Sequence, residues 1–272
     1  MEITRRAAVL GSPIEHSLSP VLHGAGYEAA GLDGWEYTRI LCEASELPRI
    51  VGEADQSFRG FSVTMPCKFA ALDFADEVTE RAQQIGSANT LTRIDGGWRA
   101  DNTDCEGVLV ALQELLGEAP VKRAVLVGAG GTARAVMWAL RELGCEQVTV
   151  VNRSDRASEY VELAQGMDVS FCSFDADLEA VALETDVVAS TVPADALKQH
   201  AKALGHAPVF DVIYNPWPTP LAVRAASNGY PVVGGLSMLA GQSYAQFEQF
   251  TGVDAPREAM RAALLRHWEQ SH

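Results

Sequence analysis

Short apolar runs of the buried-strand type alternate with amphipathic stretches along most of this 272-residue chain. The most informative run is Ala124–Gly128, which enters a turn containing Gly128 and Gly130. It leads into a helix whose apolar residues Ala133, Val136, Met137, Leu140 and Leu143 recur with a period near 3.6, and Gly144 follows as a C-cap. Further strands are expected at Gln147–Val151, Asp186–Ser190, Pro208–Ile213 and Tyr230–Val233, with Thr219-Pro220 opening a helix to about Asn228. This alternation predicts an α/β fold with a parallel sheet and helices on both faces.

The first hundred residues read differently. Arg6–Leu10 is a strand and Gly11–His16 a loop, followed by a helix with Ser19 as N-cap and Pro20 in the first helical position. Trp35–Cys42 alternates as a strand, and Ser45 to about Glu53 reads as a capped helix. Gly60–Thr64 is a strand running into Met65-Pro66-Cys67-Lys68, where Pro66 opens a helix and places Lys68 in its first turn. Ile85–Thr92 brings Gly86-Ser-Ala-Asn-Thr90 into a strand, paired through the Asp95-Gly96 turn with Trp98–Asn102. Either Asp101 or Thr103 caps the next helix, which runs to about Leu116 with Asp104 as a first-turn charge. Ser237–Phe250 is amphipathic, and Pro256–Trp268 forms a last helix. The change of pattern predicts two domains: residues 1–104 completed by 237–272, and an inserted 105–236, with an active site in the cleft between them.

The chemistry begins at the glycines. Gly128, Gly130 and Ala133 make a G-x-G-x-x-A spacing between a strand and a helix, the arrangement in which free amides at a helix start receive a pyrophosphate. Glycines also mark ordinary strand-to-helix turns; here the flanking strand and helix favour a dinucleotide. The next strand ends at Asn152-Arg153-Ser154, with Arg156 close behind, where an NAD-binding unit usually carries an acid for the ribose 2′-hydroxyl. A neutral amide, a hydroxyl and guanidiniums would instead hold a 2′-phosphate, which favours NADP, with Asp155 turned to solvent. The bland alternative is a solvated loop. Ser17 and Ser19 put two hydroxyls on a helix start, a small anion site suited to a carboxylate, although such a serine is commonly only a cap. Lys68 at a helix start faces the positive end of the dipole, which lowers a lysine pKa toward that of a proton carrier, but most lysines are simply solvated. Asn89, polar in an apolar stretch, must be solvated or satisfied inside. His16 and His23 read as structural.

Composition narrows the partners. The 47% hydrophobic content and a mean hydropathy of +0.00 describe a soluble protein with a sizeable core, and neither a spanning run nor a leader is apparent. A formal charge of −15 and a pI near 4.8 argue against nucleic acid or an anionic membrane, and require a local basic pocket for any anionic ligand. Five scattered cysteines without a C-x-x-C read as reduced thiols of a cytoplasmic protein, and the six histidines form no metal-ligand spacing. Monomer and homodimer both remain open.

Several colinear stretches together resemble the shikimate dehydrogenase family. They are Gly11-Ser-Pro-Ile-Glu-His-Ser-Leu-Ser-Pro20 with His23, Phe61-Ser-Val-Thr-Met-Pro-Cys-Lys68, Ser87-Ala-Asn-Thr90, Asp101-Asn-Thr-Asp-Cys-Glu-Gly107, Gly128-Ala-Gly-Gly131, Asn152-Arg153, Asp211–Pro220 and Met238-Leu-Ala-Gly-Gln242. The resemblance implies an α/β substrate-binding domain and a Rossmann-like NADP-binding domain. It also implies NADPH-dependent, reversible reduction of 3-dehydroshikimate to shikimate, in the pathway to aromatic amino acids. Carried over, Ser17 and Ser19 would hold the substrate carboxylate, and Thr64, Asn89 and Gln242 the ring hydroxyls. Tyr214 would lie near the carboxylate or nicotinamide end, with Lys68 and Asp104 as the catalytic pair. Gly128, Ala129, Gly130, Gly131, Thr132, Ala133, Thr191, Gly235 and Met238 would contact the cofactor, and Asn152, Arg153, Ser154 and Arg156 its 2′-phosphate. This sequence departs from the family pattern at Ser62, Gly24, Ser237 and Ser190-Thr-Val-Pro193, and its basic loop is one residue shorter than in many relatives. The rival readings are an NAD-dependent quinate/shikimate dehydrogenase and a non-catalytic dinucleotide sensor.

Overall fold

The computed structural model describes residues 2–271. The chain divides into two compact units, Met1–Thr103 with Gln242–His272, and Asp104–Gly241. Thus Asp104 opens the second unit, and the return to the first comes at Gln242 rather than near 237.

The first unit carries a six-stranded sheet built from β1 (Arg5–Gly11), β2 (Trp35–Leu41), β3 (Phe58–Val63), β4 (Glu77–Val78), β5 (Thr90–Ile94) and β6 (Gly97–Asp101), in the order β2-β1-β3-β5-β6-β4. Strands β1, β2 and β3 are parallel, whereas β5 runs antiparallel to both β3 and β6. The register sets Leu10 beside Ile40 and Val63, Ser62 opposite Thr90, and Thr90 opposite Asp101. The ends of β1, β3 and β6 and the start of β5 therefore meet at one edge of the sheet. Leu10, Phe61, Val63, Leu91 and Trp98 fill the core beneath it. Between the strands lie the helices α1 (Ser19–Ala29), α2 (Leu47–Gly52), α3 (Lys68–Phe74) and α4 (Glu80–Ile85).

Four local expectations are corrected here. Helix α1 takes Leu18 as its N-cap residue, because the Leu18 carbonyl already accepts from Val21 and Leu22, so Ser19 is helical rather than capping. Helix α2 starts at Leu47 after Glu46, and Ser45 lies outside it. Pro66 sits in a turn closed by the Cys67 N–H on the Thr64 carbonyl, and α3 begins only at Lys68. Ile85 to Asn89 is not strand: Thr79 Oγ1 caps α4 by accepting from the Ala82 N–H, and α4 ends on Gly86 in the left-handed region at φ 75°, a conformation glycine adopts without strain.

The second unit contains α5 (Asp104–Leu116), β7 (Arg123–Val127), α6 (Gly131–Glu142), β8 (Gln147–Val151), α7 (Val161–Ala164), β9 (Asp168–Cys172), α8 (Leu178–Leu183), β10 (Val187–Ser190), α9 (Ala201–Leu204), β11 (Val209–Asp211), α10 (Pro220–Ser227) and β12 (Val232–Val233). Helices α11 (Gly235–Thr251), within which the unit boundary falls, and α12 (Arg257–Ser271) complete the chain. All six strands of this sheet are parallel, in the order β12-β11-β10-β7-β8-β9. Counted from β7, that is the doubly wound order 3-2-1-4-5-6, with its switch point between β7 and β10, where such sheets bind ligands. The strands are apolar on both faces, as expected of a sheet covered by helices, with Val125, Val127, Val188, Val209 and Leu221 in one core cluster. No helix among the described residues is long and apolar enough to cross a membrane.

Candidate active site

In the second unit, a cavity of about 740 Å³ opens at the carboxyl ends of β7, β8 and β10. Eight of the residues assigned to a cofactor from the sequence line it: Gly128, Ala129, Gly130, Asn152, Arg153, Ser154, Arg156 and Thr191. Gly128 has φ +99°, and a Cβ there would lie 2.6 Å from Thr191 Oγ1, so the turn admits only glycine. Gly130 and Gly131 have nothing within 4 Å of a notional Cβ, leaving the start of α6 open to a ligand. The Asn152 side-chain amide donates to the Ser154 carbonyl at 3.0 Å and shapes the loop after β8. Asp155 is exposed, but its Oδ1 also accepts from the Ala157 N–H. Arg156 pairs with Glu159 at 2.6 Å, whereas Arg153 is exposed at the rim. No acidic side chain lines this cavity, so its donor set fits a phosphorylated dinucleotide.

Gly131, Thr132, Ala133, Gly235 and Met238 are not part of the cavity lining. Gly131 opens α6, and Ala133, Gly235 and Met238 are buried. Phe174 and His200, unexpected from the sequence, add a ring pair 4.7 Å apart to the lining, beside Val192, Pro193 and Ala196. Nothing in the local pattern marks them, since they come from loops after different strands. The loop after β11 carries Tyr214 and is closed by a buried bond from Thr219 Oγ1 to Asp211 Oδ2 at 2.7 Å. Thr219 in turn caps α10 by accepting from the Ala222 N–H. Burial raises the Tyr214 phenol above its ordinary value, and it also raises Asp211 despite the bond from Thr219.

In the first unit, the residues expected at a substrate converge on the sheet edge described above. The loop after β1 is braced by the Ser17 N–H on the Ile14 carbonyl and by the Ser19 N–H on Ser17 Oγ at 3.4 Å. A hydroxyl that accepts in this way retains its own proton to give. Thr64 is tied back to this loop, its N–H on the Leu10 carbonyl, while the next carbonyl, of Met65, accepts from Ser12. Lys68, half-buried, stands at the first position of α3, and its carbonyl accepts from Ala88. The turn before Lys68 is anchored by the buried Cys67 thiol, which donates to the Cys42 carbonyl at 3.1 Å; burial pushes that thiol up to about 12.

Asn89 is the hub. It is 2% exposed, and its Oδ1 accepts from the Thr103 N–H at 2.7 Å, from Thr103 Oγ1 and from Thr90 Oγ1. Its Nδ2 donates to Gln242 Oε1 at 3.1 Å. One turn further along α11, Gln246 donates to the Asn89 carbonyl and to Thr90 Oγ1, and accepts from Ser62 Oγ at 2.7 Å. Ser62 in turn accepts from the Tyr37 phenol at 2.6 Å. Gln246 was not singled out from the sequence, although its i+4 spacing from Gln242 places both on one helix face.

Asp101 does not cap α5. Its carboxylate is 6% exposed, pairs with Arg81, and also accepts from Thr79 Oγ1, the Asn102 N–H and Gln249. Burial opposes its charge, but these donors outweigh it and hold the carboxyl below the usual range. Asp104, buried, is the first residue of α5, one position beyond the Thr103 that Asn89 fixes. His23 is fully buried, stacked on Tyr37 at 4.1 Å between centroids and near Phe247 and Phe250. Burial pushes it down to about 3, so it is a neutral packing group.

The comparisons with known proteins agree across the chain. A sequence model of the shikimate dehydrogenase substrate binding domain matches residues 9–91, one of shikimate/quinate 5-dehydrogenase matches 111–208, and one of the shikimate 5′-dehydrogenase C-terminal domain matches 235–265. A shikimate dehydrogenase (NADP(+)) of Citrifermentans bemidjiense is 37% identical, covering 96% of this chain and 94% of that protein. The crystal structure of Mycobacterium tuberculosis shikimate dehydrogenase is 50% identical, with a TM-score of 0.91 over 96% of this chain and 99% of that one. That of the Thermus thermophilus enzyme, in complex with NADP(H) and shikimate, is 33% identical, with a TM-score of 0.79 over 96% and 99%. The fold is thus that of known shikimate dehydrogenases, and this chain belongs to the shikimate dehydrogenase family.

Proposed function

We propose that this protein is an NADP-dependent shikimate dehydrogenase, reducing 3-dehydroshikimate to shikimate and running the reverse reaction with NADP. The observation that carries this reading is the Asn89 hub. One buried amide, just before the strand opposite β3, ties that strand to Thr103 and to Gln242, so three separate stretches present polar groups at one sheet edge. A ring acid with several hydroxyls matches that set: Ser17 and Ser19 take its carboxylate, and Thr64, Asn89 and Gln242 its hydroxyls. NADPH, when bound, supplies the hydride. Gly128 and Gly130 let its pyrophosphate approach the α6 start, while Asn152, Ser154, Arg153 and Arg156 receive the 2′-phosphate.

The reacting carbonyl oxygen gains negative charge as it is reduced and needs a proton. Lys68 donates that proton, and Asp104 orients the ammonium and bonds a ring hydroxyl. In the reverse direction the lysine amine takes the proton back. The enclosing residues supply orientation, a large share of any such rate enhancement. The product belongs to the route to aromatic amino acids, and the protein works in the cytoplasm, to which cysteines not joined in disulfides are suited.

The deciding experiment is a steady-state assay of the purified protein with shikimate and quinate, each with NADP and NAD, followed at the reduced-nicotinamide absorbance. Turnover of shikimate with NADP well above the other three pairs is expected. Equal or better turnover of quinate with NAD would select the quinate/shikimate enzyme, and no turnover with any pair would leave a dinucleotide sensor.

A further inference from the structure

We propose that Arg39 is the cationic member of the carboxylate subsite, fixing the Ser17–Ser19 loop and supplying the positive charge that an anionic ring acid needs there. The proposal rests on the assignment of Ser17 and Ser19 to that carboxylate. Those two hydroxyls are neutral, and the protein around them carries a formal charge of −15. Arg39 Nε and Nη2 both donate to the Ser17 carbonyl, at 3.1 and 2.6 Å, which brings the guanidinium directly against the loop.

The bonding pattern serves an anion twice. A carbonyl oxygen turned toward a carboxylate repels it, and the Arg39 fork occupies that of Ser17. A guanidinium has five N–H donors, so two bonds to one carbonyl leave three for a second acceptor. Arg39 is exposed, and among the described residues it has no carboxylate within ion-pair distance. Glu15, the nearest acid along the loop, folds onto its own backbone by accepting from the Ile14 N–H.

Strand geometry explains why this arginine is the one in place. Side chains two residues apart on a strand share a face, so Arg39 lies on the face of Tyr37. Its charge is felt at the Tyr37 phenol, whose oxygen also lies beside the Ser19 hydroxyl. The phenol is held by Ser62 and, through it, by Gln246 and Asn89. Strand β2 therefore braces the loop at two points, Arg39 on the Ser17 carbonyl and Tyr37 beside Ser19, and only the first brings charge.

The test compares R39Q, R39K and S19A with the parent in steady state, varying shikimate at low salt and in 0.5 M KCl. R39Q is expected to raise the KM for shikimate about tenfold at low salt, with kcat within about twofold and the KM for NADP unchanged. Salt screens a charge interaction, so the R39Q-to-parent ratio of KM should shrink to about threefold or less at high salt. R39K, which keeps the charge, should stay within about threefold of the parent. S19A should raise the KM for shikimate with a ratio that does not depend on salt. A parental KM in R39Q, a ratio indifferent to salt, or an R39K as impaired as R39Q would each overturn the charge role. If S19A behaves as described while R39Q does not, the carboxylate loop stands and Arg39 alone is removed. If neither variant changes KM, the loop assignment fails, and this inference with it.

Discussion

The backbone N–H of Thr103 donates to Asn89 Oδ1 at 2.7 Å, which ties the residue preceding α5 to the residue preceding β5. The bond closes a link between positions fourteen residues apart, one residue before α5 begins. Replacing Asn89 by alanine strips a buried N–H of its acceptor and Gln242 of its donor. We expect a loss of about 1–3 kcal/mol in denaturant unfolding, the range for a buried donor left unpaired. A fall in kcat/KM for shikimate beyond what the lost stability accounts for should accompany it.

Lys68→Ala is expected to reduce kcat at least about a hundredfold with little change in the KM for shikimate, the pattern for loss of an acid–base group. The pH profile of kcat should lose the limb that reports the proton donor. Near-normal turnover in this variant would remove Lys68 from the chemistry.

The two cofactor glycines separate folding from binding. At Gly130 the backbone φ is −90° and nothing lies within 4 Å of a Cβ, so Gly130→Ala should fold with an unchanged thermal midpoint. Its methyl would still occupy the ligand approach, raising the KM for NADPH about tenfold or more. Gly128→Ala meets Thr191 and Val192 at φ +99° and should cost about 1–3 kcal/mol of stability, as a non-glycine residue does in such a conformation. Thermal melts beside cofactor titrations of the two variants check both statements.

Charge at residue 152 should decide cofactor choice. Asn152→Asp places a carboxylate beside the 2′-phosphate, which we expect to raise the KM for NADPH at least about tenfold while leaving that for NADH unchanged or lower. A variant that lost both cofactors equally would mean that the loop, held by the Asn152–Ser154 bond, had collapsed.

Two buried groups set the acid limit of stability. His23 is depressed to about 3 by burial, so the unfolded chain binds its proton first, near the ordinary histidine value of about 6.5. Its contribution is complete above that value and falls away as pH drops toward 3, at up to about 1.4 kcal/mol per pH unit. Asp101 is also depressed, so its contribution is present above the usual carboxylate value and is lost at lower pH, as its folded-state carboxyl protonates. Unfolding free energy measured between pH 7 and 4 should therefore decline in the parent from about pH 6.5. His23→Leu should flatten the decline between about 6.5 and 4.5, whereas Asp101→Asn should leave that part intact. A parental slope in His23→Leu would show that His23 is not what protonates on unfolding.

Most of the second unit was legible because its signals are local. A strand, a glycine turn and an amphipathic helix are each written within a dozen residues, and Asn152 follows at the end of the next strand. Repeated βα units of one handedness leave few ways to assemble a sheet. In the first unit the motifs were visible but their surroundings were not. Pro66 reads equally well as a helix opener or as a turn residue. The apolar run through Ile85 to Thr92 does not reveal that Gly86 ends a helix. Asp101 carries every sign of a cap, yet Arg81 and Gln249, 20 and 148 residues away, claim its carboxylate.

The amino-acid sequence by itself determined the α/β class, the dinucleotide turn and the family, and it left β4, α4, β9 and α7 to α9 unread. Tertiary structure alone decided which polar groups meet: Asn89 with Thr103 and Gln242, Tyr37 with Ser62, Arg39 with the Ser17 carbonyl. Those pairings depend on the strand order β2-β1-β3-β5-β6-β4 and its register, and a shift of one residue would turn the strand residues Tyr37, Arg39 and Ser62 to the opposite face. Local pattern encodes what each segment becomes; its partners are chosen by long-range packing, which no short stretch of sequence contains.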